Sequence, residues 1–293
     1  MTKTCVIVGA GPAGMAAALY LKRLGIDPII VDKNSPGGEM LKIYNLENYL
    51  GFENINGADL ALKMVNQLKK LGVRFVYGQV KDIIKKDKFL VKLDNKEIEA
   101  DNVIIATGKI SNKLGLKNED EFIGKGISYC AICDGNFYKD KDVAVIGGGN
   151  TAFTDALYLS DLCDKVYVIV RNNVRADEIL QSKVKEKENI ILIKGSTVKG
   201  IVVSDKIDGV VLDNDRVIDV SGLFIAIGGK PNLDFISNLK IETENGFIKT
   251  DKNMMTNIKG IYAAGDVVIK DFYQIITAIN DGVIAALNIG KEN

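Results

Sequence analysis

The sequence has no histidine in 293 residues. That absence removes Ser-His-Asp and Cys-His hydrolases, most zinc enzymes and ordinary imidazole acid–base catalysis. Proton transfer is left to Asp, Glu, Lys, Tyr, Cys or a cofactor, and a cofactor is the natural candidate. Cysteine is scarce as well: four residues, one close pair and the singletons Cys5 and Cys163. That is too few for a disulfide framework and matches a reducing cytoplasm with one catalytic pair, so a cytoplasmic protein is expected. Net charge is missing, with 38 basic against 38 acidic residues, and gives no reason to expect a nucleic-acid partner. Prolines number four and hydrophobic residues make up 47%, a globular composition with room for about two domains. Long apolar runs are nearly absent too. Residues 1–21 look like a signal peptide or membrane anchor, but Gly9, Gly11, Pro12 and Gly14 interrupt them. A strand, a glycine turn and a helix explain the stretch better, and no membrane partner is expected.

Against this background stands Cys130-Ala131-Ile132-Cys133-Asp134-Gly135. Two cysteines at this spacing can close a small disulfide or open to a dithiol, and such pairs often include a thiol acidic enough to act as a nucleophile. Asp134 offers a carboxyl that can pass a proton to a departing thiolate. A zinc knuckle needs four Cys or His ligands, which this chain does not bring together in sequence. A chance structural pair stays open on the motif alone.

The chain begins with a β-branched run, residues 3–8, then Gly9-Ala10-Gly11-Pro12-Ala13-Gly14, an Ala/Leu-rich helix to about Leu24, and a strand 29–31 ending at Asp32. This is G-x-G-x-x-G in the context that gives it meaning. The glycines let the backbone approach a pyrophosphate at a helix N-terminus, and Asp32 can accept hydrogen bonds from a ribose. Residues 35–57 read as loops, with Gly37-Gly38 allowing close approach to a ligand. Residues 58–71 have helical spacing, and residues 73–100 read as a small antiparallel sheet. Residues 101–108 form a buried strand ending in Ala106-Thr107-Gly108, and the polar stretch 109–126 reads as a hinge into a second domain.

An internal repeat decides the organisation. The run from Asp142 through Gly147, Gly149 and Ala152, followed by a helix and a strand 166–170, restates the first motif. Gly9, Gly11 and Gly14 map onto Gly147, Gly149 and Ala152 at one offset of 138 residues, and Ala106-Thr-Gly108 recurs as Ala226-Ile-Gly228. Two dinucleotide-binding domains are the simplest account. The counterpart of Asp32 is Val170, so no carboxylate is present there to hold a ribose diol, which argues against NAD. A 2′-phosphate calls for clustered arginines, and Arg171 and Arg175 are separated by Asn172, Asn173 and Val174. Near the C-terminus, residues 260–265 read as a strand ending at Asp266, which can bind a ribityl or ribose hydroxyl. Tyr273-Gln274-Ile275 opens a final helix whose first amides can stabilise negative charge on a flavin ring.

Taken together, these motifs resemble the low-molecular-weight, bacterial-type thioredoxin reductases along nearly the whole chain. The match runs through Gly9–Gly14, Gly37-Gly38-Glu39, Thr107-Gly108, residues 128–135 and Gly265-Asp266. The resemblance implies an α/β fold of two Rossmann-like domains of the three-layer ββα type, the second inserted into the first. Residues 1–112 and 243–293 would form the FAD-binding domain, and 113–242 the NAD(P)-binding-like domain that carries the disulfide. It implies FAD as cofactor, a homodimer and thioredoxin or a thioredoxin-like protein as partner. Cys133 would face the flavin, Cys130 would attack the partner disulfide and Asp134 would donate the proton. FAD contacts are expected from Gly9, Gly11, Pro12, Ala13, Gly14, Asp32, Lys33, Gly37, Gly38, Glu39, Asn48, Ala106, Thr107, Gly108, Gly265, Asp266, Tyr273, Gln274 and Ile275.

Two departures set the expected electron donor. The family's His-Arg-Arg-x-x-x-Arg stretch is Val170-Arg171-Asn172-Asn173-Val174-Arg175 here, and the usual arginine before Gln274 is Tyr273. Each lost charge-assisted contact weakens NADPH binding by about 1.5–3 kcal/mol. A subgroup, the ferredoxin-dependent flavin thioredoxin reductases, shows similar erosion. The expectation is therefore reduced ferredoxin, or another one-electron donor, ahead of NADPH. The competing readings are a conventional NADPH thioredoxin reductase, a ferredoxin–NADP reductase (which would lack the cysteine pair) and a non-enzymatic flavin-binding sensor. Tyr273 reads equally as a cover over the flavin or as a packing residue, and Cys5 and Cys163 as small buried hydrophobes.

Overall fold

The computed structural model describes residues 3–43, 46 and 48–292. The chain divides into two compact units, one formed by Met1–Leu41, Ile55–Ile110 and Lys230–Asn293, the other by Lys42–Asn54 and Ser111–Gly229. Residues 230–242, expected in the inserted domain, thus fall in the first unit. The reason is packing: Ile236 is buried in that unit's core, with Leu233, Phe235, Leu239 and Ile241 against it.

In the first unit the apolar run becomes the strand Thr4–Val8, and the run's uncharged continuation becomes the helix Pro12–Arg23. The strand lies inside a five-stranded parallel sheet, paired with Asp27–Asp32 on one side and Asn102–Ile105 on the other. Ile261–Ala263 and Arg74–Tyr77 complete its two edges. Arg74–Tyr77 was expected in the antiparallel sheet; that sheet consists only of Val80–Lys85, Phe89–Leu93 and Glu97–Ala100. Both faces of the central strand are covered, and Cys5, Val6 and Ile7 are fully buried. Side chains of this size each contribute about 1.5–3 kcal/mol on full burial, which fixes the sheet's centre and the turn at its end.

The helix Ile275–Lys291 packs on Pro12–Arg23. The approach is close: a Cβ on Gly282 would lie 2.1 Å from the Ala13 carbonyl oxygen, so only glycine fits.

The second unit repeats the plan. Val143–Ile146 pairs in parallel with Val166–Val170 and Gly222–Ile225, and Ile190–Lys194 and Ile127–Ser128 flank them. The helix Asn150–Ser160 follows the second glycine turn, and Val198–Val203, Ile207–Leu212 and Val217–Asp219 form an antiparallel meander. Cys5 and Cys163 are both free and buried; burial pushes the Cys163 thiol up to about 11 and the Cys5 thiol higher still, so both are inert apolar fillers. Among the described residues no helix is long and apolar enough to cross a membrane.

Candidate functional sites: two glycine turns and a disulfide

The first glycine turn is a backbone cradle. Gly9 has φ +113°, and a Cβ there would stand 2.2 Å from the Ala106 carbonyl oxygen; a Cβ on Gly14 would meet the Gly9 carbonyl oxygen at 2.0 Å. Glycine is required at both positions. At Gly11, by contrast, a Cβ would meet nothing within 4 Å. Gly11 is the N-cap of the helix Pro12–Arg23 and supplies no side-chain cap, so the first-turn amides keep their capacity for an anionic group.

Asp32 ends the second strand and reaches back to this turn, accepting the Ala10 amide on Oδ2 at 2.7 Å and the Asn34 amide on Oδ1 at 2.8 Å. The Gly37 amide donates to the Ala10 carbonyl at 2.9 Å, which lays Gly37-Gly38 against Gly11. Gly265 joins from the far end of the chain, close enough that its Cβ would touch the Ala13 methyl at 2.8 Å. The structure therefore brings together Gly9, Gly11, Pro12, Ala13, Gly14, Asp32, Gly37, Gly38, Ala106, Thr107 and Gly265. Lys33 is exposed beside Asp32. Asn48 lies in the segment Lys42–Asn54, which groups with the second unit.

Around Asp266 the sequence had not marked the partners. Burial raises the Asp266 carboxyl, opposed by the charges of Lys109 and Lys270, while Glu39 adds a smaller raising influence. Lys270 donates to the buried Asp281 at 2.7 Å, and Asp281 also accepts the Gly265 amide at 3.1 Å, which pins the turn before Asp266. Lys109 lies over the Tyr273 ring, 3.4 Å from its centroid, and Phe247 packs against the same ring at 5.8 Å. Burial is the main cause that lowers the Lys109 ammonium. Gln274 caps the helix Ile275–Lys291, its amide donating to Thr277 Oγ1 at 3.0 Å. A lysine right after Ala-Thr-Gly108 and an aspartate inside an apolar helix were the signals available for Lys109 and Asp281.

In the second unit Cys130 and Cys133 form a disulfide with Cα atoms 5.3 Å apart. Cys130 is the N-cap of the single-turn helix Ala131–Asp134, and the Cys133 amide donates to Cys130 Sγ at 3.3 Å. That contact favours negative charge on Cys130 once the bond opens. Asp134 is raised by burial, against which a hydrogen bond from Ser128 Oγ at 2.6 Å pulls it down. Nearby, the buried Glu119 carboxylate accepts the amides of Leu114, Gly115 and Leu116 and the Tyr129 hydroxyl, tying the preceding loop to the residue before Cys130.

The second glycine turn keeps the first one's backbone. Gly147 has φ +151° and a Cβ there would stand 2.4 Å from the Ala226 carbonyl, as Gly9 does from Ala106. Gly9 donates to Val31 and Gly147 to Ile169; Gly37 donates to Ala10 and Arg175 to Gly148, each pair related by the 138-residue offset. The stretch around Arg171 and Arg175, which departs from the family pattern in its side chains, is held to the turn by its backbone, with the amides of Arg175 and Ala176 at 2.6 and 3.0 Å from the Gly148 carbonyl. Both arginines are exposed, and neither forms an ion pair among the described residues.

Comparison with known proteins agrees with this geometry. Residues 3–282 match the family model "Pyridine nucleotide-disulphide oxidoreductase". The chain is 44% identical over 293 residues to a thioredoxin reductase of Mycoplasma genitalium, covering 97% of this chain and 93% of that one. It is 40% identical over 294 residues to one of Listeria monocytogenes, covering 98% and 92%. A solved thioredoxin reductase from Streptococcus pyogenes superposes with a TM-score of 0.91 at 38% identity, covering 99% of this chain and 98% of that one.

Proposed function

The chain belongs to the pyridine nucleotide-disulphide oxidoreductases and, within them, to the thioredoxin reductases; from that premise we propose a disulfide reductase that uses Cys130 and Cys133 to reduce a thioredoxin and is recharged from NADPH. The observation that carries this reading is the Cys130–Cys133 disulfide, with an amide aimed at one sulfur and a protonatable carboxyl next to the other.

FAD is the cofactor, and the first unit fits it. The open face at Gly11 and the uncapped helix start suit a pyrophosphate, Asp32 a ribose and Asp266 a ribityl hydroxyl. When bound, FAD supplies the electron pair that opens the disulfide.

The protein's own residues then carry the exchange. The Cys130 thiolate attacks one sulfur of the partner disulfide; a Cys130–partner bond forms, the partner's S–S bond breaks, and its electron pair leaves on the second sulfur. Asp134 gives that thiolate its proton. Cys133 then attacks Cys130 Sγ, releasing the partner's remaining sulfur as a thiolate and restoring the enzyme disulfide. Two electrons have passed from enzyme to partner.

Ferredoxin as preferred donor has no support from the relatives at 40–44% identity, which are named simply as thioredoxin reductases. The clasped second turn favours a nucleotide. Val170 offers no carboxylate to repel a 2′-phosphate, and Arg171 and Arg175 stand on the loop bonded to Gly148. A ferredoxin donor keeps two observations in its favour: two asparagines occupy the interval between those arginines, and a solved ferredoxin-flavin thioredoxin reductase of Clostridium acetobutylicum is 30% identical with a TM-score of 0.55, covering 99% of this chain and 98% of that one.

An anaerobic titration of the flavin-loaded protein tests the donor. We expect rapid loss of oxidised-flavin absorbance with NADPH, at least ten times slower loss with NADH at equal concentration, and thioredoxin reduction afterwards. Bleaching by reduced ferredoxin alone would overturn the NADPH assignment, and no thioredoxin reduction with any donor would overturn the enzyme reading in favour of a sensor.

A further inference from the structure

Ser128 lies 3% exposed at the end of the strand Ile127–Ser128, on the parallel sheet rather than in a loop. Its hydroxyl stands between the nucleophile and the acid. Oγ accepts the Cys130 amide at 3.0 Å and donates to Asp134 Oδ2 at 2.6 Å. The Cys130 carbonyl, at 3.3 Å, is the only other acceptor the structure gives that proton among the described residues. A hydroxyl has one hydrogen, and the shorter contact to a carboxylate claims it.

We propose that Ser128 is a positioning residue for disulfide exchange: it holds Asp134 by one carboxyl oxygen and leaves the other to carry and deliver the proton. The proposal rests on the thioredoxin reductase reading for the identity of the proton's receiver, the thiolate released when the partner disulfide breaks. The hold on Asp134 is a property of the protein alone. Burial raises Asp134 and the Ser128 bond lowers it, so the serine keeps the acid from becoming too weak to give up its proton. The titratable groups beside it among the described residues are the cysteine pair itself and Tyr138. Burial, and then the Asp134 charge, push the Tyr138 phenol up to about 12, so it stays neutral throughout the working range.

The test uses flavin-loaded enzyme carrying Ser128→Ala or Ser128→Thr. The alkaline limb of kcat for thioredoxin reduction reports the loss of the Asp134 proton. Ser128→Ala removes the bond that favours the ionised form, so the limb should move up by about one pH unit. The plateau should fall about tenfold, with KM for thioredoxin within twofold of wild type. Ser128→Thr should restore both. In parallel, infrared titration follows the protonated-carboxyl C=O band that Asp134→Asn removes, and that band should move in the same direction in Ser128→Ala. If the alanine variant does not hold flavin, Ser128→Cys, a weaker donor of similar size, gives the same sign. An unmoved limb and an unmoved band would overturn the proposal and leave Ser128 as a cap for the short helix. A band that moves in a protein unable to reduce thioredoxin would instead break the functional reading and leave the positioning intact.

Discussion

The two glycine turns share a backbone and differ in what the ends of their second strands offer a ligand. In the first, Asp32 holds the Ala10 amide through its carboxylate, and the Gly37 amide closes on the Ala10 carbonyl. In the second, Val170 takes the place of Asp32, and closure is left to the Arg175 and Ala176 amides on the Gly148 carbonyl. Closure of the loop is therefore separable from the carboxylate. The amide that closes the loop comes from different residue types in the two turns: glycine at 37, where φ is +134° and a Cβ would lie 2.7 Å from the Leu41 side chain, and an exposed arginine at 175. The lesson is that a chemical difference at the strand end does not mean a collapsed fold: the second turn has lost an acidic hydroxyl acceptor and kept its shape.

The largest effect that would test this comparison comes from alanine at the tightest glycine of each turn. Gly9→Ala drives a Cβ into the Ala106 carbonyl and should give a chain purified without flavin, read from its visible absorbance. Gly147→Ala does the same at Ala226, and should leave flavin content near wild type while cutting NADPH-driven flavin reduction more than tenfold. Equal flavin loss in both variants would break the idea of two independent sites. A smaller effect is expected from Arg171→Ala with Arg175→Ala. Both arginines are exposed, so water screens each contact to about 1 kcal/mol, and losing the two should raise KM for NADPH about ten- to hundredfold and leave the NADH and thioredoxin constants within a fewfold. Unchanged NADPH kinetics would return the loop to being a relic. The smallest belongs to Val170→Asp, which restores the acid that the repeat lacks within reach of the Gly148 amide. Preference for NADPH over NADH, as a ratio of kcat/KM values, should drop about tenfold.

Much of this was readable in the residues because the relevant rules are local. The strand–glycine–helix pattern at Gly9, the strand Val166–Val170 and the C-x-x-C pair depend on spacing within a dozen residues. What was not readable depends on long-range contacts. Arg74–Tyr77 alternates like its antiparallel neighbours but pairs with Asp27–Asp32, a choice made by the parallel sheet's free edge. Residues 230–242 carry no mark of their unit until Ile236 finds its core. The bond from the Arg175 amide to Gly148 uses backbone only, so side chains could not announce it, and the stretch read as decay. Ser128 stood in plain view two residues before Cys130, but a serine's role depends on where its single proton points. Asp281 and Lys109 matter through partners far away along the chain.

The contact of Gly282 with Ala13 has a consequence for the order in which the protein is made. The glycine turn at residues 9–14 leaves the ribosome long before the helix Ile275–Lys291 that backs it, and the sheet edge Ile261–Ala263 that flanks Asn102–Ile105 arrives just before that helix. The inserted unit's strands and helices from residue 111 to 229 are all complete by then. The nascent chain must therefore carry an unfinished N-terminal half past a unit that already has everything it needs to fold. The helix Pro12–Arg23 waits until then for the helix Ile275–Lys291 that packs on it, which makes its apolar face a segment in need of protection during synthesis.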